Sequence, residues 1–510
     1  MTQYRQAYKQ MKLSKCLFWV LLFVWILAVR TSFSQEETTP VDILNADLLN
    51  ILQINGKEVK KLIGNVKLKN KDAIMYCDSA IVDADNNIDA AGHIVILKGD
   101  SVRLSGNFLI YPSATKIANV RGNVKLTDLK MILNTTELWY EMNEDIGYYN
   151  NGGVVTSKDT KIKSTFGTYY KRTRDVFFKD KVRVTNPKYK LNSDTLKYNL
   201  DNEFVTFYGA TEIFNDSSTI WCNTGWYDSR KNIASFGANT FIISGAQWLR
   251  TDSLYYLRDI GYGKVMKRYD FHDTSLHIIM EGDYADYYDK SNRVIGRNRP
   301  LLTYEQDKDN ILYMRAEILE TMEEGGSKTF FGYKKVRMYK KDFQAVCDTF
   351  IYSYSDSTFK LYRDPLLWND SSQLKADTIF LYTKNKQPNK TSLFNKAFVS
   401  EHLEQNLFNQ MKGNIIHIYF KNKKTDYMEA YPEAENKYFG REEGKGYEGL
   451  NSAKSDKIIA YFLDGKVNRI QFVGKPEAVF TPMKKVGNEL LFLTDFKWQG
   501  AKRPISKEDL

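Results

Sequence analysis

Asp83, Asp85, Asn87 and Asp89 in DADNNID stand at the alternate spacing with which oxygen ligands gather around calcium. An EF-hand would want glycine where Ile88 stands and a bidentate acid further on, so the stretch reads as a hairpin turn, the setting that Asp and Asn favour. His272 and His277 flank Asp273 in FHDTSLHIIM. Five residues along a strand put the two imidazoles on opposite faces, which is poor geometry for one metal. EEGGSKT (323–329) resembles a phosphate loop but lacks the Gly-Lys-Ser/Thr order and a preceding buried strand, so it reads as a loop closing a short helix. The chain has neither a Gly-x-Ser-x-Gly elbow nor a Cys-x-x-Cys pair. These residues therefore predict no catalytic centre, no metal and no cofactor.

An acid does recur, and its recurrence points to the elements around it. Taking Asp194 in LNSDTLKYN as an anchor, equivalent places fall at Asp78, Gly106, Thr136, Phe166, Asn223, Asp252, Asp283, Ala316, Asp348, Asp377, Gly413 and Asp456. The spacing stays near 29 residues and stretches after Asp283. A repeated carboxylate could form a catalytic ladder. Gly, Thr, Phe, Ala and Asn interrupt it, however, so a turn or strand-end role bonding nearby backbone explains it better. Within each unit apolar residues alternate with polar ones between Asn/Asp/Gly turns, the period of short antiparallel strands. RAEILETMEE (315–324) and SEHLEQNLFNQMKG (400–413) alone read as short helices. Cys77, Cys222 and Cys347 each precede an anchor and are expected to be buried, reduced and too far apart to bridge.

Composition agrees: 43% hydrophobic and 14% aromatic, with 34 Tyr, 29 Phe and only 10 Pro, is ample for a large strand-rich core. Residues 1–34 stand apart. Basic Arg5, Lys9, Lys12 and Lys15 precede the apolar run CLFWVLLFVWILAV, and small Ser32 and Ser34 follow, which describes a signal peptide and predicts export. That leader carries five of the 73 Lys/Arg and none of the 62 acids, so the net charge falls from +11 to +6. The remainder is too mildly basic for a dedicated nucleic-acid binder.

GNVKLKNKDAIMYCDSAIVDADNNIDAAGHIVIL (64–97) and GNVKLTDLKMILNTTELWYEMNEDIGYYNNGGVV (122–155) resemble the OstA-like repeats of LptA-type lipopolysaccharide-transport proteins. The length and the C-terminal stretch resemble the large OstA-like proteins of Bacteroidetes-type bacteria. The resemblance covers roughly 40–484. It implies an all-β fold, an elongated antiparallel β-jellyroll or β-taco of about a dozen repeats, in which two sheets enclose a greasy channel for lipid A acyl chains. Four strands per unit would stack to on the order of 100 Å. The implied organisation is a signal peptide (1–34), OstA-like repeats (35–400), divergent repeats (401–484) and a tail (485–510).

The implied function is non-enzymatic lipopolysaccharide binding or transport and outer-membrane assembly in the periplasm. Lipid A, other jellyroll proteins of a transport bridge and the outer-membrane translocon are the implied partners. The apolar stripe two and four residues past each anchor supplies the groove candidates: Phe108, Ile110, Leu138, Tyr140, Leu196, Tyr198, Leu254, Tyr256, Phe350, Tyr352, Ile379 and Leu381. Lys181 and Arg183 are expected at the rim. A secreted structural or adhesive β-solenoid is the alternative. A β-helix carbohydrate-active enzyme is a weaker one, since acids and aromatics do not concentrate in adjacent units.

Overall fold

The computed structural model describes residues 40–510, apart from 215–217, 306–310, 325, 386 and 442–445. The expected signal peptide lies outside the described residues. Strands are antiparallel throughout, and the remaining elements are short 3-10 turns. Among the described residues no helix is long and apolar enough to cross a membrane. The chain divides into two compact units, Met1–Gly153 and Val154–Leu510.

In the N-terminal unit, long strands such as Lys57–Asn70, Ala73–Asp83, Ile88–Lys98 and Val102–Tyr111 pair in chain order. Each is bent once. Pairing of Lys57–Asn70 with its neighbour jumps from Ile63↔Ser79 to Val66↔Cys77, leaving Gly64 and Asn65 out of register. Both have positive φ, +77° and +46°. Two left-handed residues in succession turn the strand through a corner, as a β-bulge does. The Gly-Asn-Val motif is the sequence of this corner: two left-handed positions, then a valine facing inward. Gly122 (φ +76°) repeats it, and a Cβ there would come within 2.9 Å of Asn107 Nδ2. Each strand thereby contributes one half to a sheet before the anchor and one half to a sheet after it. The two half-sheets face each other across a core of Leu62, Val66, Leu68, Leu104, Val120, Val124 and Leu138.

The second unit uses the same corner. Pairing jumps between Lys179 and Val182, Tyr333 and Val336, and Phe394 and Ala397. The anchor's N–H meets a carbonyl at the bulge, as in Asp194 to Ala210 (3.0 Å), Glu317 to Lys334 (3.0 Å) and Asp377 to Asn395 (3.0 Å). Exposed charge pairs mark the outside of the corner, among them Lys335–Glu317 (3.0 Å), Arg363–Asp348 (2.9 Å) and Lys396–Asp377 (3.4 Å). The recurring acid is a corner residue.

This geometry moves four anchors by one position. The residues at the corner are Asn107, Thr165, Glu317 and Asn414, not Gly106, Phe166, Ala316 and Gly413. With Asn107 and Thr165 in place, the anchors from Asp78 to Asp252 are each 29 residues apart. The two expected helices are strands, Ile318–Glu324 and the paired Gln387–Glu404 and Leu407–Lys421. Alternate residues there face inward and outward, with Glu320 and Gln410 at outward places and Glu401 on the cavity side. The stretch 323–329 lies at a hairpin connection, with Glu323↔Lys328 paired. DADNNID is a turn in which the Asp83 carboxylate accepts the N–H groups of Asp85 (2.9 Å) and Asn87 (2.9 Å). Cys77, Cys222 and Cys347 are buried free thiols.

Candidate functional site

The line opposite the corners is where the two half-sheets can part. It is bordered by two rows of turns, one ending the half-strands before the anchor and one ending those after it. In the N-terminal unit this mouth is closed. Lys98, whose side chain is 7% exposed, reaches from one row to Asp145 in the other (3.0 Å) while also contacting Asp72 (3.4 Å). The space left inside, between residues such as Leu68, Ile96 and Tyr111, is about 40 Å³.

The first part of the second unit is closed by similar means. Lys158 meets Glu203 across the mouth, Tyr189 packs edge-on against Tyr227 (5.8 Å), and Lys328 reaches Asp273 (3.4 Å). Burial opposes the charge on Asp273, but hydrogen bonds from Ser275 and Gln247 and the Lys328 ammonium hold its carboxyl below the usual range. The Tyr354 hydroxyl bonds to Leu276 O at 3.4 Å. The interior is filled with rings: Tyr169, Phe178, Phe207 and Tyr269 are fully buried.

Beyond these bridges the half-sheets separate around a cavity of about 570 Å³, lined by residues between Leu312 and Ile470. Its size falls within the range of roughly 300–1,000 Å³ common for ligand sites. Leu367, Leu374, Val399 and Met411 come from one half-sheet, Leu381, Ile418 and Met428 from the other. Aliphatic side chains share this lining with the rings of Phe343, Phe359, Phe420 and Phe462. They supply no nucleophile or acid–base pair, so the interior suits a flexible apolar guest. Lysines stand at both rims, Lys340 on one and Lys390, Lys423 and Lys424 on the other. They are interleaved with acids: Lys340 pairs with Asp342 (3.2 Å) and Lys424 with Asp464 (3.1 Å). Lys437 also borders the cavity, and burial pushes its pKa down. Among the described residues no group of His, Cys, Asp and Glu could hold a metal.

The structure distributes the twelve stripe residues unevenly. Phe108 and Ile110 are 57% and 42% exposed on the outer face. The anchor is Asn107 and not Gly106, so the places two and four residues on are Leu109 and Tyr111, which point inward. Leu138 and Tyr140 are buried in the closed N-terminal interior, and Leu196, Tyr198, Leu254, Phe350, Tyr352 and Ile379 in packed parts of the second unit. Tyr256 is half-buried. Leu381 alone among them lines the open cavity. Lys181 stands at a corner and Arg183 is exposed on the strand beyond it, both away from the mouth. The cavity residues Leu367, Leu374, Val399 and Met411 were missed because they lie before their anchors, whereas the stripe was counted only after them.

Fold and cavity define a folded-over antiparallel β protein with an apolar interior space. The family described as OstA-like protein matches residues 38–194, so this portion of the chain is similar to that family. One similar solved structure is LptH of Pseudomonas aeruginosa, the LptA-homologous periplasmic component of the lipopolysaccharide transport device. It is 15% identical, with a TM-score of 0.19, over 20% of this chain and 79% of that one. No curated protein matches the chain.

Proposed function

We infer that the protein is a non-enzymatic carrier of lipopolysaccharide that serves outer-membrane assembly. On this reading it is exported to the periplasm and shields lipid A acyl chains between its half-sheets. The observation that carries the reading is the mainly apolar cavity of about 570 Å³ between residues 312 and 470. Each methylene transferred from water into such a space is favourable by about 0.8 kcal/mol. The OstA-like match of residues 38–194 supports the same substrate class. Lysines at the rims would meet lipid A phosphates, a contact that weakens with salt. Other jellyroll proteins of a transport bridge and the outer-membrane translocon would be its partners, and no cofactor is required.

The test is photocrosslinking to lipopolysaccharide from positions 374 and 381. Adducts are expected from Leu374 and Leu381 replaced by a photoactivatable residue. None is expected from Leu138, in the sealed interior, or from Lys197, which alternates with the inward Leu196 and Tyr198. Absence of adducts at both cavity positions would leave the structural-solenoid alternative.

A further inference from the structure

Residues 483–510 leave the last strand and run back over the outer face of the half-sheet that forms one wall of the cavity. Three glutamines, 2–3% exposed, receive them. Gln410 Nε2 donates to Leu491 O (2.7 Å), and its Oε1 accepts the Leu493 N–H (2.8 Å). Gln373 repeats the arrangement, donating to Lys497 O (2.8 Å) and accepting the Gln499 N–H (2.7 Å). Gln344 accepts from Arg503 Nε (2.7 Å), whose Nη1 also reaches Asp370 O (2.8 Å). Each of the first two amides offers one donor and one acceptor to residues two apart, as a neighbouring strand would. Rings pack between them, Phe408 lying 5.0 Å from Phe496 and 5.2 Å from Trp498.

The same wall carries the cavity on its other side. Leu374 and Met411, adjacent in sequence to Gln373 and Gln410, line the interior. Lys437 borders the cavity and donates to Leu490 O. Two apolar walls facing across empty space are drawn together, and protein interiors ordinarily close such gaps. A wall packed on both faces resists that closure better than one packed on a single face.

We propose that residues 483–510 are a brace regulating the cavity: docked, they hold its wall apart, and released, they let the wall move inward and expel the guest. The proposal rests on the carrier reading only for the identity of the guest. It is tested in the full chain with Gln373→Leu and, separately, with Phe496→Ala, neither residue lining the cavity. A chain ending at Pro482 with a synthetic 483–510 peptide added back provides a third arm. Hydrogen exchange reads tail docking, and a fluorescent fatty acid, dansyl-undecanoic acid, reads the cavity. Gln373→Leu and Phe496→Ala should lose amide protection across 488–503, and these variants and the shortened chain should bind the probe about tenfold more weakly, the equivalent of roughly two methylenes left unburied. The added peptide should restore binding. Loss of tail protection with unchanged probe affinity overturns the brace. If the full chain itself binds no probe, the carrier reading fails. The brace is then judged on amide protection of Leu366–Asn369 and Ser372–Lys375, which must fall in the variants for it to stand.

Discussion

Between Lys57 and Glu141 the half-sheets of the N-terminal unit close on one another, with a space of about 40 Å³ beside Leu68, Ile96 and Tyr111. Between Leu312 and Ile470, within the second unit, the same alternation and the same corner leave about 570 Å³. Strand pairing does not make the difference, since both regions are antiparallel and both turn at a pair of left-handed residues. Two other things do. The closed regions carry cross-mouth pairs such as Lys98–Asp145, and their inward positions include Tyr140, Tyr149, Tyr169 and Phe178. Aliphatic side chains line the open region together with Phe343, Phe359, Phe420 and Phe462, and a docked tail covers the back of one wall. A corner makes the enclosure, and side-chain volume with bridging decides whether it is occupied by protein or left for a guest.

The largest effect expected from this contrast is on stability. Leu138→Ala, in the sealed interior, should cost about 2–5 kcal/mol. Leu381→Ala, already beside open space, should cost about 1 kcal/mol or less. Urea unfolding of the two variants measures this, and equal losses would mean that the cavity is packed in solution. Next in size is the mouth of the N-terminal unit. Asp145→Ala leaves the buried Lys98 ammonium with Asp72 alone, at a cost of about 1–3 kcal/mol. The variant should still take up no fatty-acid probe, because the interior behind the mouth is full. Uptake would show that bridging and not volume keeps this region shut.

A third prediction concerns what the two regions share. Burial pushes the Cys77 thiol up to about 11 and Cys222 to about 12, from an ordinary value of 9.0, and it raises Cys347 as well. All three should resist iodoacetamide at pH 8, where thiolate is scarce, and react once urea opens the fold. Since the unfolded thiols ionise first, their contribution to stability is complete below about pH 9. It is lost as pH rises through the folded values. Fast labelling of any one of them in the native protein would show that its corner is open. The smallest effect belongs to the outside of the corner. Arg363→Ala removes an exposed pair with Asp348 and should change stability by no more than about 1 kcal/mol. A larger change would make the charge pair, and not the bulge, the hinge of the fold.

Much of the fold is legible in the chain because period-two alternation and Asn/Asp/Gly turns survive in nearly every repeat. What the pattern hides is the bulge. Alternation does not show which residue sits out of register, so Gly106 stood in for Asn107 as the anchor, and Phe108 and Ile110 for the inward Leu109 and Tyr111. Glu and Gln scattered on both faces of the strands imitate helical patterning at 315–324 and 400–413. The cavity was less legible. Leu374 and Leu138 are the same residue type at inward places, and only the partners across the core distinguish a filled space from an empty one. The tail at 485–510 is set apart in the sequence, but its docking was invisible for a related reason, since Gln344, Gln373 and Gln410 look like solvent-facing polar residues until something lies over them.

The tail also differs from the repeats in the order in which it can form. Anchor bonds reach only nearby turns, as from Asp194 to Ala210 and from Asp377 to Asn395. Each repeat can therefore set soon after its own residues are free, without waiting for distant chain, and such local contacts favour rapid folding. The strap has no such neighbour. Its bonds span 53 residues to Lys437, 81 to Gln410, 124 to Gln373, 159 to Gln344 and 211 from Arg299 to Leu510. A chain emerging N-terminus first would complete its walls while the back of one of them was still bare. The final 28 residues would then act as a clasp, fastened only after the walls stand.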